Sequence, residues 1–176
     1  MEQTIHKFKW FWAWQDEKEE DWLRTMSQQG WHLLSARPFG VYYFRGGDKS
    51  DFVYRLDYQI KRKDRDNYLQ IFHDAGWEYV GEMSGWQYFR KQVEAGESPE
   101  IYTDPASKAI KYRNVITQLG FIESFMIVIL LSRILQHFPY PWWGAIQGFF
   151  GFVVVILLYG LIRVALRIRQ LKKMSK

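Results

Sequence analysis

No cysteine occurs among the 176 residues. Disulfides, thiolate nucleophiles and every cysteine-based zinc or redox motif are therefore excluded, which fits a reducing compartment. The four histidines, His6, His32, His73 and His137, show no HExxH or other metal-ligand spacing. A GxGxxG segment, a phosphate-cradling loop and a nucleophile elbow are all missing, and Gly46-Gly47 before Asp48 reads as a hairpin turn instead. No metal or cofactor is expected, and the chain is read as a non-enzyme. The first residues mix charge with aromatics and lack the apolar run of a secretory signal, so the domain they begin is expected to stay in the cytoplasm.

Acidic residues run out beyond Pro105. Up to that point 14 Lys/Arg stand against 18 Asp/Glu, whereas the remainder carries 10 Lys/Arg and one acid, Glu123. The net charge of +5 belongs to this second part. Its cations flank apolar runs, a pattern of segments facing a cytoplasmic membrane surface rather than of a nucleic-acid footprint. Residues 119–138 and 142–166 each come near the ~20 residues needed to cross a bilayer. Prolines 139 and 141 stop the first run, and the aromatics beside them suit the headgroup region. Lys108, Lys111 and Arg113 precede the first run, and Arg163, Arg167, Arg169, Lys172, Lys173 and Lys176 end or follow the second. By the positive-inside rule both ends are cytoplasmic and the protein is a multi-pass component of the inner or plasma membrane. Glu123 and Arg133 sit near opposite ends of the first run, where they can snorkel, or line a polar pathway in an assembly. Gly144, Gly148 and Gly151 form one small-residue stripe, and Gly120 with Ser124 a second; both are candidates for close helix packing, within the chain or between copies in a homo-oligomer.

Within the first half one pattern occurs twice. Residues 22–31, WLRTMSQQGW, align without gaps with residues 68–77, YLQIFHDAGW. Each reads as a helix closed by glycine, Gly30 or Gly76, at the left-handed position, with Asp16 and Asp64 near the starts. A strand follows at each Trp, and 41–45 and 85–90 supply returning strands. Residues 7–12 and 51–58 supply one strand before each helix. The fold class expected is α+β: a duplicated strand-helix-strand-strand domain over 1–105, with repeats at about 6–46 and 51–91. Its antiparallel sheet would carry both helices on one face. A juxtamembrane helix (106–118), the two membrane helices and a basic tail (167–176) follow. The duplicated topology resembles that of the GyrI-like small-molecule-binding domains.

Particular residues carry a closer likeness. Trp22-Leu23 after an acidic helix start, Gly30-Trp31-His32-Leu33, Tyr54-Arg55-Leu56-Asp57, Ala75 to Val80, Trp86 to Arg90, and Glu100 to Asp104 followed by Ser107-Lys108 resemble the DUF2812 family. The resemblance covers about the first 105 residues. It implies a bacterial protein that often ends in membrane spans, and a setting beside PadR-like transcriptional regulators, hence a role in envelope or drug response. It implies no activity.

Nine Trp, eleven Tyr and thirteen Phe are present, many at alternating positions of the expected strands. Two readings stand. In one they form the core, as is expected of Trp31 and Trp77. In the other, an open sheet face displays Trp10, Trp12, Tyr54, Tyr58, Trp86 and Tyr88, with Asp57 or Glu78 nearby; aromatic walls beside a carboxylate suit a small amphiphilic cation. The acids between Asp16 and Asp21 complement the helix macrodipole or dock a partner. The function expected is a membrane-anchored sensory or binding module in contact with membrane lipid. The alternative is an adaptor that engages a protein partner at the membrane.

Overall fold

The computed structural model describes residues 3–59, 64–93, 99–102, 105–134 and 143–174. Contacts divide the chain into two units, Met1–Thr103 and Asp104–Lys176. In the first, the order is β1 (Thr4–Phe8), α1 (Asp16–Gln28), β2 (Trp31–Arg37), a 3-10 turn (Pro38–Gly40), β3 (Val41–Gly46), β4 (Phe52–Tyr58), α2 (Arg65–Asp74), β5 (Glu78–Met83) and β6 (Trp86–Gln92). The strand-helix-strand-strand order thus occurs twice. It builds two antiparallel three-stranded sheets, ordered β1-β3-β2 and β4-β6-β5, rather than one continuous sheet.

Local chemistry sets the helix ends. Asp64 caps α2 by accepting the Asn67 backbone N–H at 3.2 Å. Gly30 and Gly76, with φ of 88° and 79°, close the two helices in the left-handed region that glycine enters without strain. At Gly30 space is also decisive, since a Cβ there would lie 2.7 Å from the Gly47 carbonyl oxygen. Gly46 and Gly47 do not make a hairpin turn, because β3 and β4 lie in different sheets. The chain crosses between sheets there, and Gly47 donates its N–H to the Gly30 carbonyl.

The two halves interlock through α1. Its inward stripe is Asp16, Glu19, Glu20, Leu23, Met26 and Ser27, at the three- and four-residue spacing of one helix face. This stripe packs on β2 and on β4 of the other sheet. As an outer strand, β4 would present unpaired backbone groups; side chains of α1 satisfy them. Glu20 Oε1 accepts the Leu56 N–H at 2.8 Å, and Ser27 Oγ accepts the Phe52 N–H at 3.2 Å. Arg24 and Asp51 add a two-pronged ion pair at 2.7 and 2.6 Å. Beneath α2, Val53, Trp77 and Phe89 form a buried cluster with Tyr68, Leu69, Phe72 and Tyr79 against it; each such fully buried side chain contributes roughly 1.5–3 kcal/mol. Trp77 is core, as expected, while Trp31 is half-buried.

The second unit is a helical hairpin, α3 (Pro105–Ile134) against α4 (Trp143–Met174). The juxtamembrane segment and the first apolar run are one continuous helix, and the basic tail continues α4 through Met174. Both helices hold stretches long and apolar enough to cross a membrane, Pro105–Leu131 and Gly144–Lys173. A rise of 1.5 Å per residue makes them about 40 Å or longer, beyond the ~30 Å hydrocarbon layer. Phe121, Phe125, Val128, Phe149, Phe152 and Val155 turn outward. The 139–142 turn and the Arg133 side chain lie outside the described residues.

Candidate functional site

The tips of the β2–β3 and β5–β6 hairpins and the connection from β1 to α1 converge on a cavity of about 260 Å³. Each tip is shaped by positive φ. Ser84 (51°) and Gly85 (90°) make the tight β5–β6 turn, whereas Phe39 (65°) and Gly40 (75°) make the other. Phe39 is not glycine, so this conformation costs it roughly 1–2 kcal/mol, and it sets the ring at the cavity mouth. Gly40 allows the β1–α1 connection to pass: its carbonyl accepts the Lys9 N–H at 2.8 Å, and a Cβ on it would lie 2.6 Å from the Lys9 oxygen.

Aromatic rings wall the cavity: Trp10, Phe11, Trp12, Phe39, Tyr42 and Trp86. Trp12 stacks on Trp14 with 5.2 Å between ring centroids and meets Trp10 edge-on at 5.7 Å. Tyr58 backs Trp86 at 5.0 Å. Two acids from the inward stripe of α1, Asp16 and Glu19, complete the lining. Glu19 is only 6% exposed. Its Oε1 accepts the Tyr42 hydroxyl at 2.8 Å and the Tyr88 hydroxyl at 2.6 Å, which leaves Oε2 uncommitted by these bonds. Burial holds the Glu19 carboxyl above the usual carboxylate range; the two hydroxyls oppose this shift, and the neighbouring Asp16 charge adds to it. Burial and the Glu19 charge push Tyr42 and Tyr88 upward, so both remain donors. No Lys or Arg pairs with Glu19 among the described residues. The arrangement is an aromatic enclosure over a buried anionic group, which is the chemistry that holds an organic cation.

Of the eight residues singled out from the sequence for a ligand, Trp10, Trp12 and Trp86 line this cavity, Tyr88 holds its carboxylate and Tyr58 supports its wall. The remaining three lie elsewhere. Tyr54 is buried and its oxygen accepts the Leu33 N–H. Asp57 is buried and accepts the hydroxyls of Tyr68, at 2.6 Å, and Tyr102. Glu78 makes a two-pronged ion pair with Arg90 at 2.8 and 2.7 Å, beside a larger, more open groove of about 550 Å³ along α2. Among the described residues that groove holds no buried carboxylate, so the smaller cavity is the stronger candidate. Trp10 and Trp12 belong to a loop, not to a strand face, because β1 ends at Phe8.

The sequence reading missed Asp16, Glu19 and Tyr42. A signal for the acids existed: residues 16, 19, 20, 23, 26 and 27 follow one helical stripe, so the carboxylates share the apolar face of Leu23 and Met26. In the hairpin, a Cβ added at Gly120, Gly144, Gly148 or Gly151 would meet nothing within 4 Å among the described residues. Ser124 is exposed and donates to the Gly120 carbonyl. Among the described residues, α3 and α4 do not meet at these glycines. Glu123 is 4% exposed, and its carboxylate oxygens find no hydrogen-bond partner among the described residues.

Comparison with curated proteins and with solved structures finds no match. A family model does match: DUF2812, described as a protein of unknown function, over residues 15–126. The matched stretch holds Asp16, Glu19, Tyr42 and Trp86 but begins after Trp10 and Trp12. It takes in β2 to β6 but not β1, runs into α3 and spans well over half of the chain, which belongs to the DUF2812 family.

Proposed function

We propose that the chain is a membrane-anchored, non-catalytic binding module whose first unit takes a small amphiphilic cation into the aromatic cavity. Glu19 carries the reading: a carboxylate kept out of water, held by two tyrosine hydroxyls and walled by rings. A buried carboxylate costs several kcal/mol of desolvation, a cost that an entering cation offsets. The aromatic walls suit the apolar body of such a ligand and contribute about 0.5–2 kcal/mol of cation–π attraction. Membrane anchoring draws on the two long helices with outward-turned apolar side chains and on the cations at their outer ends. With both ends in the cytoplasm, the cavity samples ligands there or partitioning from the inner leaflet.

Full-length protein in lipid nanodiscs is titrated with benzyltrimethylammonium and with its uncharged isostere neopentylbenzene, following tryptophan fluorescence. Saturable quenching by the cation, with the isostere at least tenfold weaker, is the expected result. Equal responses to both compounds, or none, would remove the reading. The alternative, an adaptor for a protein partner, draws on apolar side chains exposed on the first sheet, and cation-independent behaviour would favour it.

A further inference from the structure

The outward face of the β1-β3-β2 sheet is uncovered and combines apolar bulk with positive charge. Paired residues of antiparallel strands share a face, so the register sets Phe8, Val41 and Arg37 in one row, with His6 and Tyr43 in the next and Arg45 beyond. These rows point away from the core, since the alternate residues Tyr42 and Phe44 are fully buried. Water-facing strand positions normally carry polar side chains of mixed charge. Here Phe8 is 73% exposed and Tyr43 41%; Leu34, at the β2 bulge, is 42% exposed, and Phe39, at the adjoining turn, 80%.

Charge is distributed just as unevenly. Residues 3–15 and 31–47, which form this sheet and its connections, hold Lys7, Lys9, Arg37 and Arg45 and no acid. The chain up to Pro105 is nevertheless acidic overall, with 18 Asp/Glu against 14 Lys/Arg. Of the sheet's cations, Arg37 and Arg45 share the face of the exposed rings by register, whereas Lys7 pairs with Tyr42 on the other face and Lys9 lies over the Phe11 and Trp22 rings. Aromatic side chains beside Arg and Lys are the chemistry of an anionic bilayer surface: rings enter the headgroup region while the cations meet lipid phosphates.

We propose that this sheet face docks on an anionic lipid surface, with Phe8, Leu34 and Tyr43 entering the headgroup layer and Arg37 and Arg45 contacting phosphates. The inference rests on the membrane anchoring proposed above, because a tether raises the effective concentration of the bilayer at the face. It adds a second, peripheral contact that sets which side of the domain meets the lipid, and Phe39, shared by the face and the cavity mouth, would bring ligand entry to the leaflet.

Because the chain lacks cysteine, one engineered thiol reports one position. L34C and, as a control on exposed α2, Q70C are labelled with an environment-sensitive fluorophore. Full-length protein is then placed in nanodiscs of phosphatidylcholine, with or without phosphatidylglycerol, carrying headgroup spin-labelled lipid as quencher. The expected result is strong quenching at position 34 and little at position 70 in anionic discs. R37E in the L34C background lowers the docked fraction by roughly fivefold or more, and neutral discs lower it too. Equal quenching at both positions, or none in discs that retain the protein, overturns the docking alone and leaves the face to a protein partner. Self-quenching that appears only with two chains per disc assigns the face to a second copy and also overturns it. A chain that fails to enter discs sinks the membrane anchoring and this inference together.

Discussion

Replacing Glu19 with glutamine tests the cavity most directly, because the substitution keeps shape and hydrogen-bond capacity while removing the charge. A cation seated about 5 Å from the carboxylate, at an effective dielectric of about 20, gains about 3 kcal/mol. E19Q should then weaken benzyltrimethylammonium by about a hundredfold, while attraction by the surrounding rings and Asp16 sustains weak residual binding. The neutral isostere should change little. Binding should also depend on pH, because the ligand needs the ionised carboxylate and burial raises the Glu19 pKa. Affinity should climb as pH rises through a window above the ordinary carboxylate range and level off beyond it; E19Q should flatten the profile. Stability of the free protein runs the opposite way. Within that window the folded chain holds the Glu19 proton more tightly than the unfolded chain does, so stability falls as pH rises, and E19Q removes that slope. Isothermal titration of nanodisc samples at a series of pH values, from the ordinary carboxylate range upward, measures the first effect. Equal weakening of cation and isostere by E19Q, or a wild-type profile without pH dependence, would refute the argument.

E20A removes the acceptor of the Leu56 N–H and a partner of Arg55, 3.4 Å away; loss of one member of a buried pair costs about 3–5 kcal/mol, read as early protease cleavage of the first unit with rising denaturant. Both G30A and G76A strain a left-handed position, but at Gly30 the new Cβ meets backbone at 2.7 Å, whereas at Gly76 it meets the flexible end of Lys91 at 3.2 Å. G30A should therefore destabilise by more than ~1 kcal/mol and clearly more than G76A; equal melting shifts would contradict this. Y102F leaves buried Asp57 with the Tyr68 hydroxyl and should cost about 1.5–3 kcal/mol, measured by thermal unfolding. Finally, Y140C in whole cells should react with a membrane-impermeant maleimide from outside while Q70C reacts only after permeabilisation; the reverse pattern would invert the proposed topology.

Much of the fold was written in local chemistry. Gly30 and Gly76 end their helices, Asp64 caps α2, and the two apolar runs become the long helices α3 and α4, because periodicity, caps and hydropathy act over a few neighbouring residues. The same local signals placed a strand-helix-strand-strand order in the chain twice. Tertiary structure decided what those signals could not encode. It split the strands into two sheets, took Gly46-Gly47 from an expected turn to a crossover, and set α1 against β4 of the other sheet. In doing so it turned Asp16, Glu19 and Glu20 inward. Acids at a helix start read equally well as solvated partners of the macrodipole, and only packing distinguishes the two. The cavity depends on the same long-range event. Trp10 and Trp12 come from a loop, Phe39 and Trp86 from beside two hairpin tips, and Glu19 from a helix. Residues so far apart in sequence meet only when the two halves close around α1, whereas Asp57, flanked by Tyr54 and Tyr58 and so the more obvious candidate on the strand, was drawn into the core by Tyr68 and Tyr102.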